Sequence, residues 1–91
     1  MIRIKLNDKE YPYKLTIAAC KELKQKIGKD YLQMKFDDTE EIKWMLFYGI
    51  KYGMKISGEQ EYLEASELDE LDLPELLNAI SQINPENKDP K

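Results

Sequence analysis

Asp38-Thr39-Glu40-Glu41-Ile42-Lys43-Trp44-Met45-Leu46-Phe47-Tyr48-Gly49-Ile50-Lys51-Tyr52-Gly53 reads as a helix that is apolar nearly all round, and the architecture follows from what must surround it. Asp38-x-x-Glu41 has the form of a capping box, whose side chains take up orphan amides of the first turn. The helix is predicted from Thr39 to about Tyr52, with Gly53 just beyond its end. Ile42, Met45, Leu46, Gly49 and Ile50 share one face at helical spacing. Trp44, Phe47 and Tyr48 project from the other side, among Lys43 and Lys51. A helix with two apolar sides has to be covered on more than one side. A chain of 91 residues has apolar surface for one core, and few of its helices can be fully enclosed by their own domain.

Upstream, Ile2, Ile4 and Leu6 alternate with Arg3 and Lys5, the period of a strand with one wet face. Asn7-Asp8-Lys9-Glu10 is a turn segment, and Tyr11, Tyr13 and Leu15 continue as a second strand. Pro12 cannot donate to a ladder, so that strand lies at an edge. The two form an N-terminal β-hairpin, which needs helices to cover its apolar face. Thr16 caps the next element. Ala19, Cys20, Leu23 and Ile27 then share a helical face over 17–27, and Gly28 supplies a left-handed end. Residues 29–37 fit a short helix, a strand or an anchored loop equally well.

Downstream, Ser57-x-x-Gln60 predicts the start of a short third helix carrying Tyr62 and Leu63, and Ser66-x-x-Asp69 a single turn. Asp72-x-x-Glu75 caps a last helix, with Pro74 in its first turn. Leu73, Leu76, Leu77, Ile80 and Ile83 form its stripe, against Glu75, Asn78 and Gln82. Asn84-Pro85 stops it. The expected fold is α+β and mostly α, a two-stranded hairpin on three to four helices. Residues 1–84 form one domain and 85–91 a polar tail.

Composition excludes much chemistry. Without histidine there is no histidine triad or His-ligated zinc or haem. The single cysteine, Cys20, can form no intrachain disulfide or zinc cluster, and on the apolar side of its helix it reads as a buried thiol. The glycines form no phosphate loop, and Asp69-Glu70-x-Asp72 lacks the spacing of a calcium loop. No catalytic, cofactor or metal site is expected, and the chain reads as a non-enzyme. The net charge of −4 divides unevenly: residues 1–55 carry 12 basic and 8 acidic side chains, residues 56–91 carry 2 and 10. The acidic half repels phosphate backbones. Lys21, Lys24, Lys26 and Lys29 lie on or just after the first helix, interrupted by Glu22, and read as a solvated face, so no nucleic acid is expected. No stretch approaches the ~20 apolar residues of a membrane span, and Met1-Ile2-Arg3-Ile4-Lys5 lacks the core of a signal peptide. A cytoplasmic protein with reduced Cys20 is expected.

The aromatic side of the central helix is then the candidate site. Trp44, Phe47, Tyr48 and Tyr52 offer large rigid surfaces of the kind that anchor interfaces. The alternative is that they close the core against Tyr11 and Tyr13. The excess of apolar surface points to a partner helix or to self-association.

The order of features resembles the tail assembly chaperones of long-tailed phages. The resemblance rests on Ile2-Arg3-Ile4-Lys5-Leu6 and its second strand, the helix Ile17–Ile27, Trp44-Met45-Leu46-Phe47-Tyr48-Gly49-Ile50, and Leu76-Leu77-Asn78-Ala79-Ile80 after an acidic connection. It spans roughly residues 2–83 and is a profile with no diagnostic residue. It implies a protein that keeps the helix-rich tape measure protein soluble in the host cytoplasm during tail assembly, self-associates, and is absent from the finished virion. A different class also fits the residues: a small host or prophage adaptor with a regulatory role.

Overall fold

The computed structural model describes residues 2–59 and 63–83. Strands β1 (Ile2–Leu6) and β2 (Lys9–Tyr13) pair antiparallel, with Ile4 opposite Tyr11 and Leu6 opposite Lys9. The turn is tighter than the four residues expected. Asn7 and Asp8 alone reverse the chain, at φ 50° and 69°. A two-residue hairpin turn needs such left-handed values, and short polar side chains tolerate them. Ile4, Leu6, Tyr11 and Tyr13 are buried. β2 stops at Tyr13, two residues before the Leu15 that the alternation includes.

Helix α1 (Ile17–Ile27) begins at Thr16, whose hydroxyl accepts from the Ala19 amide at 3.1 Å. It ends at Gly28, φ 84°, a conformation that favours glycine. Residues 29–37, open in the sequence, contain a 3₁₀ turn at Tyr31–Gln33. Asp30 and Gln33 cap it reciprocally. Phe36 follows at φ 60°, its ring edge-on to Tyr31 at 6.1 Å.

Helix α2 (Thr39–Ser57) does not stop at Gly53, as the sequence suggests, but ends at Gly58. Asp38 accepts from the Glu40 amide at 2.9 Å. Glu41 does not complete the capping box; it is buried and pairs with Lys29 at 3.0 Å. Gly49 and Gly53 have a packing role. A Cβ on Gly49 would lie 2.1 Å from a Tyr13 ring carbon, and one on Gly53 2.3 Å from the Pro12 carbonyl oxygen. One turn apart, they let β2 lie directly on the helix backbone. The Lys14 amide donates to the Gly49 carbonyl at 3.0 Å across this contact. A glycine inside a helix costs about 1 kcal/mol relative to alanine, which the close approach offsets.

Helix α1 runs antiparallel along α2: Glu22 meets Lys51 and Tyr52, Lys26 meets Trp44, and Lys29 meets Glu41. The predicted third helix does not start at Ser57, because α2 carries on to that residue and Ser57 binds back to the Met54 carbonyl. Gln60 and Tyr62 lie outside the described residues, and Leu63 is buried without being helical. The next helix is the short α3 (Ala65–Leu68).

Helix α4 (Leu73–Ile83) turns Leu76, Ala79 and Ile83 into the core. Its polar flank also has a structural task. Glu75 accepts from the Asn7 amide and Gln82 from the Lys5 amide, both at 3.0 Å. These amides point away from β2, on the open edge of β1. The helix thus satisfies a strand edge with side chains. The predicted Asn84-Pro85 stop and the tail lie outside the described residues. The fold is α+β and mostly helical, with the hairpin packed on the helices.

Candidate interaction surface

The four aromatic residues nominated from the sequence do not form one open face. Trp44, Phe47 and Tyr48 cluster: Trp44 stacks on Tyr48 at 6.0 Å, and Phe47 meets both rings edge-on, at 5.7 Å and 5.2 Å. Tyr48 is buried, while Trp44, Phe47 and Tyr52 are half-buried. Tyr52 sits a turn further on. It is linked to the cluster through Lys51, which lies 5.8 Å from the Tyr48 ring centre and 5.7 Å from that of Tyr52.

Charged side chains lie over this surface. The Lys26 and Lys43 ammonium groups each sit 4.4 Å from the Trp44 ring centre, where the ring quadrupole attracts a cation. The indole N–H donates to Glu40 at 2.8 Å. Glu22 accepts from the Tyr52 hydroxyl and, at 3.0 Å, from Lys51. The Tyr52 hydroxyl and then Lys51 hold the Glu22 carboxyl below the usual carboxylate range. The hydrogen bonds to Glu22, and then its charge, raise the Lys51 and Tyr52 pKa values in turn. Desolvation lowers the Lys43 pKa, but Asp69 and Glu40 outweigh it and the net shift is upward. Asp69 accepts from Lys43 at 2.9 Å and ties α2 to the end of α3.

More of α2 is covered by its own domain than its composition suggests. β2 lies on the two glycines, α1 along a second side, and the end of α3 at Lys43. Among the described residues, the Tyr13 hydroxyl and one Glu41 carboxylate oxygen are buried without a hydrogen-bond partner.

Large apolar side chains stand open elsewhere. Leu73 and Leu77, one turn apart on α4, are each 54 % exposed. Ile80 continues their line and is half-buried. A groove of about 240 Å³ adjoins Leu73, with Leu68, Leu71, Leu73 and Leu76 along it and Glu40, Asp69 and the Lys43 that pairs with both at its polar side. The sequence held a signal for this surface. The α4 stripe has five apolar positions, more than one contact line covers, and the polar flank turns out to be committed to β1.

No family model, curated protein or solved structure matches the chain. Among the described residues, no three acidic, cysteine or histidine side chains come together as a metal would need. No described helix is long and apolar enough to cross a membrane.

Proposed function

We propose that the protein is a phage tail assembly chaperone that binds the tape measure protein and keeps it soluble while the tail is built. The observation that carries this reading is the pairing of exposed leucines on α4 with an unbroken acidic border. From Leu63 to Ile83 there are six acidic side chains and no basic one. Leu73 and Leu77 stand open within that segment. A protein that shields apolar stripes on a long helical client needs an apolar surface of its own, and net charge to keep the complex dispersed. The hairpin followed by helices supports the reading, because it matches the order of features in the tail assembly chaperones the sequence resembles. On this reading the protein acts in the host cytoplasm, self-associates, leaves before the virion is complete, and uses Trp44, Phe47, Tyr48 and Tyr52 as part of its contact surface.

Co-expression with a candidate tape measure protein tests the proposal. The client is expected in the soluble fraction only when this chain is present. A client equally insoluble in both cases sinks the chaperone reading in favour of a host or prophage adaptor, as would a gene neighbourhood without tail genes.

A further inference from the structure

We propose that the outer face of α4 and the groove beside it receive a basic amphipathic helix of a partner protein. The proposal rests on the chaperone reading only for the partner's identity. The surface stands on its own observations. Leu73 and Leu77 are each 54 % exposed, and with Ile80 they form a line of ~10 Å at the helical rise. That length matches two turns of an apposed helix. The groove of about 240 Å³ extends the line toward the start of α2, through Leu68, Leu71 and Leu76.

Charge selects the occupant. Glu70 and Asp72 are exposed just ahead of Leu73 in the chain, whereas Glu67, also exposed, lines a separate groove with Lys9 and Tyr11. Among the described residues, Glu70 and Asp72 have no cationic partner, whereas Glu40 and Asp69 in the groove share Lys43, at 3.5 Å and 2.9 Å. A helix with leucines on one stripe and Lys or Arg on its flanks would bury the first and pair the second. A symmetric pairing of α4 with α4 of a second copy would set acidic borders against each other. The lysine-bearing α1 is a poor match as well, because Ile17 is its one large apolar side chain exposed to this degree.

The test uses the full chain and a labelled leucine/lysine amphipathic peptide of about 18 residues, with a leucine/glutamate peptide of the same pattern as control. Fluorescence anisotropy should show binding of the first peptide and none of the second. Leu73→Gln with Leu77→Gln should weaken binding at least about tenfold. Glu70→Lys with Asp72→Asn should weaken it at low salt and flatten its salt dependence. Both pairs alter exposed positions, and circular dichroism checks that they fold. Unchanged affinity in the folded leucine pair overturns the proposal. So does loss of binding in Trp44→Ala with Phe47→Ala while the leucine pair still binds. Dimerisation abolished by the leucine substitutions also overturns it, because the face then belongs to a second copy. Co-expression separates this inference from the chaperone reading. A tape measure protein kept soluble equally well by the leucine pair removes the surface and leaves the chaperone. Peptide binding on α4 without client rescue does the reverse.

Discussion

Helices α2 and α4 both carry more apolar side chains than one contact line can cover, and they differ in what lies over the excess. On α2, strand β2 takes the glycine side and α1 lies along another. The aromatic remainder is overlaid by Lys26, Lys43, Lys51 and Lys55. On α4, the core takes Leu76, Ala79 and Ile83, β1 takes Glu75 and Gln82, and nothing described covers Leu73 and Leu77. Apolar content alone therefore does not mark a binding face. What matters is whether aliphatic lysine stems and neighbouring elements reach it.

The sharpest way to break the comparison is at the covered side of α2. Gly53→Ala places a methyl group against the Pro12 backbone, which cannot swing aside as a side chain can. A loss of about 3 kcal/mol is expected in urea unfolding. A variant as stable as wild type would show that β2 does not rest on the helix.

A second large effect is expected at alkaline pH. Burial, with smaller contributions from Tyr31 and Cys20, holds the Tyr13 hydroxyl far above the ordinary tyrosine range. In the unfolded chain it ionises near pH 10. Ionisation of this group therefore leaves stability unaffected below about pH 10, and stability falls as pH rises above that, because the fold must keep a proton that the unfolded chain releases. Absorbance at 295 nm should show one tyrosine titrating only as helicity is lost. Tyr13→Phe should remove that component. It should also leave stability unchanged or raised by about 1 kcal/mol, because the buried hydroxyl has no partner.

Trp44→Ala with Phe47→Ala probes the half-covered rings. The fold should persist, with about 2–3 kcal/mol lost, less than two fully buried aromatics would cost. Complete unfolding of this double variant would place the rings in the core and remove them as candidate partner contacts.

The smallest expected effect concerns the committed flank of α4. Gln82→Ala leaves the Lys5 amide without its acceptor and should lower stability by about 1 kcal/mol. Hydrogen exchange at Lys5 should quicken. Unchanged protection there would mean that α4 does not cover the strand edge.

Much of this fold is legible from short-range pattern. Alternation at Ile2-Arg3-Ile4-Lys5-Leu6, the Thr16 and Gly28 caps, and the Leu76-to-Ile83 stripe all give the correct elements. Gly53 was misleading. A glycine after an apolar run signals a helix end, and here it is a gap for a strand. The candidate surface was less legible. Trp44, Phe47, Tyr48 and Tyr52 stand out by size, yet Leu73 and Leu77 are the more exposed. Nothing in helical spacing says which of two apolar stripes a neighbour will cover.

The sequence by itself determined the hairpin, the starts of α1, α2 and α4 and the acidic back half, because periodicity, capping and charge act within a few residues of each other. Tertiary structure alone decided that Gly49 and Gly53 carry β2, that lysines lie over Trp44, and that Gln82 closes the edge of β1. The last contact joins residues 77 positions apart. Partners so distant in the chain leave no local periodicity, so only the packed molecule shows which apolar side chains remain open.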